Sequence, residues 1–201
     1  MMKTDALTGG FAEPVFDAQS VFKMVMDCMA RPGQIATVRP EVAPPQPMGQ
    51  AAGAIALTLC DHDTAIWLGT GLAKSSAVEW LGFHTGAPLT KEKVEARFAF
   101  LELNAPLCAF GLFAVGTQEY PDRSTTVVIE IASLEGGPAL TLSGPGIDGT
   151  ATISPVGLPD QFLRQWADNK TLFPRGIDVV LTAGDKLLCL PRTVKIASGE
   201  I

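Results

Sequence analysis

No uninterrupted apolar run in this sequence approaches the roughly 20 residues that a membrane-spanning helix needs. The opening stretch MMKTDALTGGFAEP has no apolar core of signal-peptide length either, because Asp5 and Glu13 interrupt it. We therefore expect a soluble protein that stays in the cytoplasm and has no membrane partner.

Cysteine pairs of the C-x-x-C type are also missing. The four cysteines, Cys28, Cys60, Cys108 and Cys189, lie far apart in the sequence, and each stands among apolar residues. A free cysteine in such surroundings behaves as a small hydrophobic side chain. The sequence therefore predicts reduced cysteines in the core of a cytosolic protein.

Positive charge is scarce, since 15 Lys and Arg residues stand against 21 Asp and Glu residues, for a formal net charge of −6. Neither a basic stripe nor a cluster of stacking aromatics is present, so we expect no nucleic-acid partner. The same acidity disfavours attraction of an anionic substrate, which would need a few local arginines or the residues of a partner protein.

Common catalytic motifs are absent: the sequence has no G-x-S-x-G, no G-x-x-x-x-G-K-[ST] and no H-E-x-x-H. The run Asp61, His62, Asp63 suggests a metal site, but adjacent strand residues point to opposite faces and nothing completes a ligand set. We interpret this run as a turn capped by Asp side chains and expect no bound metal.

Four stretches are typical of helices: FDAQSVFKMVMDCMARPG, AAGAIALTL, SAVEWLGFHTG and LPDQFLRQWADNKTLF. The apolar stripe of the first comprises Ala18, Val21, Phe22, Val25, Met26 and Met29. Asp17 is its expected N-cap, and Pro159 is expected at the first position of the fourth helix. In the third, Ser76 and Glu79 fit a capping box, and Gly86 fits the C-terminal cap.

Strands are predicted between these helices, in TAIWL, RFAFLEL, TTVVIEIASL, ALTLS and the pair around the Gly184-Asp185 turn of IDVVLTAGDKLLCLP. EGGP is expected to turn the chain between TTVVIEIASL and ALTLS, and PLCAFGLFAVG fits either a buried helix or a strand. Helices that alternate with strands, together with two hairpins, predict an α/β fold with a mixed sheet and helices on both faces. We expect one domain over residues 1–201, with a flexible N-terminus at residues 1–12.

Gly144, Gly146 and Gly149 in LTLSGPGIDG match the G-x-G-x-x-G spacing of dinucleotide-binding loops. Such a loop must lead into a helix that meets the phosphates, whereas TATISPVG, which follows here, is typical of a strand or extended chain. Pro145 also removes one N–H donor from the loop. We interpret the match as a turn.

Five stretches occur in a specific order along the chain: FDAQSVFKMVMDCMARPG, LTLCDHDTAIWL, LGFHTGAPL, LTLSGPGI and FPRGIDVVLTAGDKLLCLPRT. With this ordered set, which covers residues of about 13–196, the chain resembles the H-subunit family (PhnH) of the bacterial carbon–phosphorus lyase core complex. Lys23, where family members often carry arginine, is a minor departure.

The resemblance implies a role in bacterial phosphonate breakdown. In that complex the G, H and I subunits, with the ATP-binding-cassette-like L protein, place the phosphonate on the ribose of ATP and displace adenine (ribose 1-phosphonate 5-triphosphate synthase). A radical J subunit then breaks the carbon–phosphorus bond. The resemblance further implies a homodimer in isolation, G, I and J subunits as partners, and a trimmed large domain of the pyridoxal-phosphate-dependent transferases that lacks the cofactor site, hence no cofactor. It implies no catalytic residue for any position of this chain.

Three functions stay open: a complex subunit without chemistry of its own, an independent small α/β enzyme or phosphate- or nucleotide-binding module, and a pyridoxal enzyme. The second would use His84, Arg175 and Arg192 as ligand or partner contacts. His84 could instead cap its helix, and the two arginines, each of which follows a proline, could be ordinary surface residues or could recognise a carboxylate or phosphate. The third would require a lysine Schiff base, and no lysine has a local signature for it.

Overall fold

The computed structural model describes residues 7–198, which contain nine strands and four α-helices. The strands are β1 (Ile35–Thr37), β2 (Ile66–Leu68), β3 (Phe98–Leu101), β4 (Thr126–Glu130), β5 (Leu140–Ser143), β6 (Ala151–Ile153), β7 (Asp178–Ala183), β8 (Lys186–Leu190) and β9 (Lys195–Ser198). The helices are α1 (Pro14–Ala30), α2 (Gln50–Leu59), α3 (Ala77–Thr85) and α4 (Phe162–Lys170).

Two sheets organise the fold. The larger is mixed, with strand order β1-β8-β7-β4-β3-β2. Strands β2, β3, β4 and β7 are mutually parallel, whereas β8 is antiparallel to β7 and β1 is antiparallel to β8. The smaller sheet is antiparallel, in the order β6-β5-β9. The turn at Gly184 joins β7 directly to β8, which confirms the hairpin predicted there.

Both faces of the large sheet are covered. Val128 and Val180 face one hydrophobic cluster together with α1, α2 and α3. Val127 and Val179, one residue earlier on the same strands, face a second cluster that α4 and the small sheet complete. The alternation arises because successive strand side chains point to opposite faces. The predicted α/β fold with a mixed sheet and helices on both faces is confirmed, while the second sheet was not predicted.

The first helix begins earlier and is buried along a different side than the sequence predicts. It starts at Pro14, so Asp17 is not its N-cap but lies in its first turn, where Oδ2 accepts a hydrogen bond from the Glu13 N–H at 2.9 Å. Its fully buried residues are Val21, Val25 and Cys28. Phe22 and Met26, which the predicted stripe includes, are 49% and 55% exposed, because the helix has more apolar surface than the core covers.

Two other helix starts also differ from prediction. At α3 the Oγ of Ser75, not of Ser76, accepts a hydrogen bond from the Ala77 N–H at 3.2 Å, and Ser76 makes no side-chain capping bond. The cap at Gly86 is confirmed, with φ of 68°. Helix α4 starts at Phe162, after Gln161 turns the chain with φ of 67°, so Pro159 lies in the preceding turn.

The predicted connection through EGGP is wrong as a hairpin. Strand β4 is paired on both edges, with β3 and β7, so no edge is left for β5. Strand β5 pairs instead with β6 and β9. The segment PLCAFGLFAVG is mostly irregular, with one 3₁₀ turn at Phe110–Leu112. It replaces the helix that usually connects two parallel strands, here β3 and β4.

The start of the described chain packs against the helical face. The Thr8 carbonyl accepts a hydrogen bond from the Trp80 indole N–H at 2.9 Å, and the Gly9 carbonyl accepts one from the Ala43 N–H at 3.0 Å. Residues 1–6 of the segment that the sequence predicts to be flexible lie outside the described residues.

Candidate functional site

His84 lies beneath the N-terminal segment. Its ring is 4.9 Å, centroid to centroid, from each of the Trp80 and Phe83 rings. Gly10 crosses the imidazole so closely that a Cβ there would stand 2.8 Å from Nδ1. Nε2 is buried and has no hydrogen-bond partner among residues 7–198, next to a cavity of about 310 Å³ that residues 7–11 help to line. As predicted, His84 is in the last turn of α3, but it is an aromatic packing residue rather than an open surface base.

Arg192 is committed to partners inside the protein. Its Nε donates to Asp178 Oδ1 at 3.1 Å, and its Nη2 donates to Asp178 Oδ2, so the two side chains form a bidentate pair. Nη1 donates to the Pro121 carbonyl oxygen and Nη2 to Ser124 Oγ, both at 2.6 Å. The side chains of Arg192 and Asp178 are only 13% and 21% exposed. The planar carboxylate recognition that the sequence suggested for this arginine is therefore directed at the chain's own Asp178, which links the end of β8 to the start of β7 and to the loop before β4.

Arg175 precedes β7 and lies near the C-terminal end of α4. Its N–H donates to the Leu172 carbonyl at 3.0 Å, and its Nε is buried without a hydrogen-bond partner among the described residues. Asn169 fixes the chain just beyond it through two hydrogen bonds with the Ile177 backbone, of 3.0 and 2.9 Å. The three candidates have separate surroundings: His84 packs against Trp80 and Phe83, Arg192 pairs with Asp178, and the Arg175 backbone bonds to Leu172.

The carboxyl edge of the parallel strands, where open α/β sheets usually bind ligands, carries a glutamate that the sequence analysis missed. Strand β2 leads through Gly69 and Gly71 towards α3, an arrangement that can present backbone N–H groups to an anion. Here the Glu102 carboxylate takes that place: Oε1 accepts from the Gly71 N–H at 2.7 Å and Oε2 from the Leu72 N–H at 3.4 Å. A Cβ at Gly69 or Gly71 would overlap the same carboxylate.

Glu130, at the end of β4, fills the neighbouring position. Its Oε2 accepts from Thr182 Oγ1 at 2.6 Å, and its Oε1 accepts from the Gly184 N–H at 2.8 Å. A Cβ on Gly49, just before α2, would stand 2.5 Å from Oε2. Two of the chain's own carboxylates thus satisfy N–H donors that could otherwise bind a phosphate group. A glutamate at the end of each strand, in LEL and in IEI, is the sequence signal that could have identified them.

The glycine match at Gly144–Gly149 is a turn, as predicted. It joins β5 to β6, which pair antiparallel with Leu140 opposite Ile153. Gly144, Gly146 and Gly149 have φ values of 141°, 83° and 69°, a backbone that side-chain-bearing residues rarely adopt. No helix follows the turn, so the geometry of a dinucleotide loop is missing here.

The four thiols are free, and the hydrogen bond that Cys28 shares with Cys189 lowers the pKa of Cys28. Cys28, Cys60 and Cys189 are buried and Cys108 is half-buried. Burial raises the pKa of Cys60, and hydrogen bonding to Cys28 together with burial raises the pKa of Cys189. Since the thiolate is the reactive form, both are poor nucleophiles.

Residues 7–198 contain neither a metal-binding cluster nor a membrane-spanning helix. No group of three or more His, Cys, Asp or Glu side chains there is arranged to hold a metal ion. The Asp61 run is the predicted turn, in which Oδ1 accepts from the Asp63 N–H at 3.0 Å and from Thr64 Oγ1 at 2.7 Å. None of the helices in this range has both the length and the apolarity required to cross a bilayer.

Comparison with known proteins places this fold and these residues in a family context. A family model described as "Bacterial phosphonate metabolism protein (PhnH)" matches residues 9–197. The chain is 59% identical over 189 residues to the "Alpha-D-ribose 1-methylphosphonate 5-triphosphate synthase subunit PhnH" of Rhizobium meliloti (strain 1021), with 94% of each chain covered. It is 33% identical over 82 residues to the "Putative C-P lyase subunit protein HtxG" of Stutzerimonas stutzeri. This aligned stretch covers 41% of this chain and 42% of that protein.

Proposed function

The chain belongs to the PhnH family of bacterial phosphonate metabolism proteins, and we propose its function from this membership. Family membership confirms the resemblance identified from the sequence. The proposed function is that of the H-type subunit of a carbon–phosphorus lyase complex, which supports transfer of a phosphonate to the ribose of ATP with displacement of adenine. The observation that carries it is the 59% identity, over 94% of both chains, to a relative named as a subunit of that synthase.

The absence of chemistry of its own is part of the proposal. Glu102 and Glu130 occupy the backbone donors at the carboxyl edge, and Arg192 is held by Asp178. His84 lies under Gly10, and its Nε2 is buried. These arrangements favour a subunit over an independent enzyme, because the groups that could bind an anion serve the chain's own fold.

We propose G, I and J subunits as partners and a cytoplasmic location, which the four free cysteines support because disulfides are rare in that compartment. We also propose that the fold is a trimmed form of the pyridoxal-phosphate-dependent transferase large domain. The Glu102 carboxylate accepts a hydrogen bond from the loop after β2, which supports the loss of a phosphate-binding loop there.

Deletion of the gene is expected to abolish growth on methylphosphonate as the sole phosphorus source and to leave growth on inorganic phosphate unchanged. The reason is that the synthase would lack a subunit, whereas phosphate uptake does not need it. The purified protein alone is expected to release no adenine from ATP plus methylphosphonate, and to co-purify with co-expressed G, I and J subunits. Undiminished growth of the deletion strain would contradict the proposed function, and adenine release by the isolated chain would favour an independent enzyme.

A homodimer of the isolated protein is proposed to form through α1. Val15, Phe22 and Met26 are spaced at i, i+7 and i+11, so they share one side of the helix, and they are 77%, 49% and 55% exposed. Lys23 and Asp27 lie beside this stripe and pair with each other at 2.6 Å. A two-fold axis across the helix would place apolar side chains against their own copies and would let the charges pair between subunits.

The change Phe22→Glu is expected to convert the dimer into a monomer. In an arrangement with two-fold symmetry the new carboxylate would be desolvated close to its own copy, which is strongly unfavourable. Light scattering coupled to size-exclusion chromatography measures the mass. Val94→Glu, at another residue that is 65% exposed, is the matched control and should leave the mass unchanged. A Phe22→Glu protein that remains dimeric would exclude this face of α1 as the interface.

A further inference from the structure

A groove runs between the irregular segment 104–111 and the chain around α4. It consists of two cavities that follow each other along these same two stretches. The first, of about 410 Å³, is lined by residues 104–107 and 157–161. The second, of about 430 Å³, is lined by residues 109–111, by one side of α4 and by the turn after it. In the second cavity the Phe110 N–H donates to Gln165 Oε1 at 2.8 Å, which ties the two stretches together. Because the two cavities are lined by successive parts of the same two stretches, a chain molecule laid along these stretches can contact both.

One wall of the groove carries free backbone groups. Within residues 7–198 the N–H groups of Leu107, Cys108 and Ala109 donate no hydrogen bond to another backbone group, and the carbonyls of Leu107 and Cys108 accept none from one. The backbone at Ala109 has φ of −59° and ψ of 128°, at the polyproline II edge of the β region. A short extended segment with unpaired groups is the kind of edge to which a peptide adds as a further strand.

The two non-glycine residues of the described chain with positive φ both line the first cavity. They are Asn104, with φ of 61°, and Gln161, with φ of 67°. Such a backbone is unfavourable for residues with side chains and is often retained at binding sites. Both residues line this cavity, and an amide side chain can donate hydrogen bonds to a peptide backbone and accept them from it.

The charged and apolar residues at and near the two cavities indicate which kind of peptide segment would bind there. Asp160 and Asp168 are the only charged residues among those of the described chain that line either cavity, and Arg164, which lies between them in sequence, lines neither. Leu103, Leu112 and Leu163, each within two residues of a lining residue in sequence, are 43%, 55% and 39% exposed. A segment with lysine or arginine and aliphatic side chains complements this surface, whereas an acidic or phosphorylated ligand would meet like charge.

We propose that this groove binds an extended, basic and aliphatic segment of a partner polypeptide, which adds as a strand to residues 107–109. The inference rests on the proposed function, because it supposes that the chain works inside a complex. It adds to that function the surface through which one partner is held and the chemistry of the segment that fits it.

The test compares two charge-reversed proteins of equal net charge. The groove variant is Asp160→Lys with Asp168→Lys, and the control variant is Glu41→Lys with Asp148→Lys, two exposed acidic residues outside the groove. Each is titrated as full-length folded protein, checked by circular dichroism, against the assembly of the remaining co-expressed subunits. The groove variant is expected to bind at least about tenfold more weakly than the natural chain, and the control variant within about twofold of it.

A photo-crosslinking residue at position 112 provides a second readout that needs no charge change. It is expected to capture a partner peptide that contains lysine or arginine within the complex. Three results would contradict the proposed peptide site. They are capture of the chain's own terminus, capture of a segment without basic residues, and equal binding by the two charge variants. Failure of the natural chain itself to join the other subunits would instead overturn the proposed function, so the two failures are distinguishable.

Discussion

Replacement of Arg192 by methionine is expected to lower the free energy of unfolding by about 3 kcal/mol, because removal of one partner of a largely buried ion pair leaves the other uncompensated. Asp178 would keep a hydrogen bond from the Arg192 backbone N–H, at 2.7 Å, but would lose both guanidinium bonds. The Pro121 carbonyl and Ser124 would lose their donors at the same time. Methionine retains much of the apolar stem, so the loss reports the charge and the hydrogen bonds rather than a cavity.

Urea unfolding of the single variants and of the double variant Arg192→Met with Asp178→Asn measures the coupling. We expect the double variant to lose clearly less than the sum of the two single losses, because each single change already removes the pair. Arg164→Met, at an exposed arginine of α4, is the control and should change stability by no more than about 0.5 kcal/mol. A loss of under about 1 kcal/mol for Arg192→Met would mean that the guanidinium is free for a partner or ligand, as the sequence first suggested.

Local patterns made much of the core predictable. The run TTVVIEIASL predicts a buried strand, and β4 is indeed paired on both edges, with Val127, Val128 and Ile129 at most 1% exposed. The hairpin at Gly184 was equally predictable from the sequence, since a two-residue turn between apolar runs specifies its own strand pairing. In both cases the information lies within about ten neighbouring residues.

Long-range pairing was beyond the reach of such patterns. Strand β5 pairs with β9, so that Leu140 lies opposite Ser198 at the far end of the chain, and no local signal marks this partner. EGGP looked like a hairpin because its turn chemistry is favourable. The parallel strands on both sides of β4 excluded that pairing.

The candidate site was predictable only in part, for the same reason. His84, Arg175 and Arg192 could be selected by residue type, but their partners are distant in sequence: Gly10 for His84, and Asp178 and Pro121 for Arg192. Glu102 was missed because its acceptor role depends on Gly71, 31 residues away. A side chain's chemistry can be read from its type, but whether it remains free for a ligand depends on contacts that only the folded chain provides.

Gly146→Ala is expected to lower the free energy of unfolding by about 3 kcal/mol, for reasons of backbone geometry and not of ligand binding. Gly146 has φ of 83°, and a Cβ there would overlap the carbonyl oxygen of Ala30, the last residue of α1. That oxygen belongs to backbone, so the clash cannot be relieved by a side-chain rotation. The turn of the small sheet would have to move away from the end of α1.

Gly149→Ala is the matched control within the same G-x-G-x-x-G spacing. Gly149 also has positive φ, 69°, but nothing lies within 4 Å of a Cβ there, so only the conformational cost of about 1 kcal/mol is expected. Thermal or urea unfolding gives both values, and calorimetric titration of the natural protein with ATP or NAD is expected to show no binding at the turn. A nucleotide loop would give the opposite result: micromolar binding that Gly146→Ala removes while stability is preserved. Because the backbone of α1 occupies the space where a phosphate would have to approach Gly146, we expect this glycine to be required by packing between the turn and the helix.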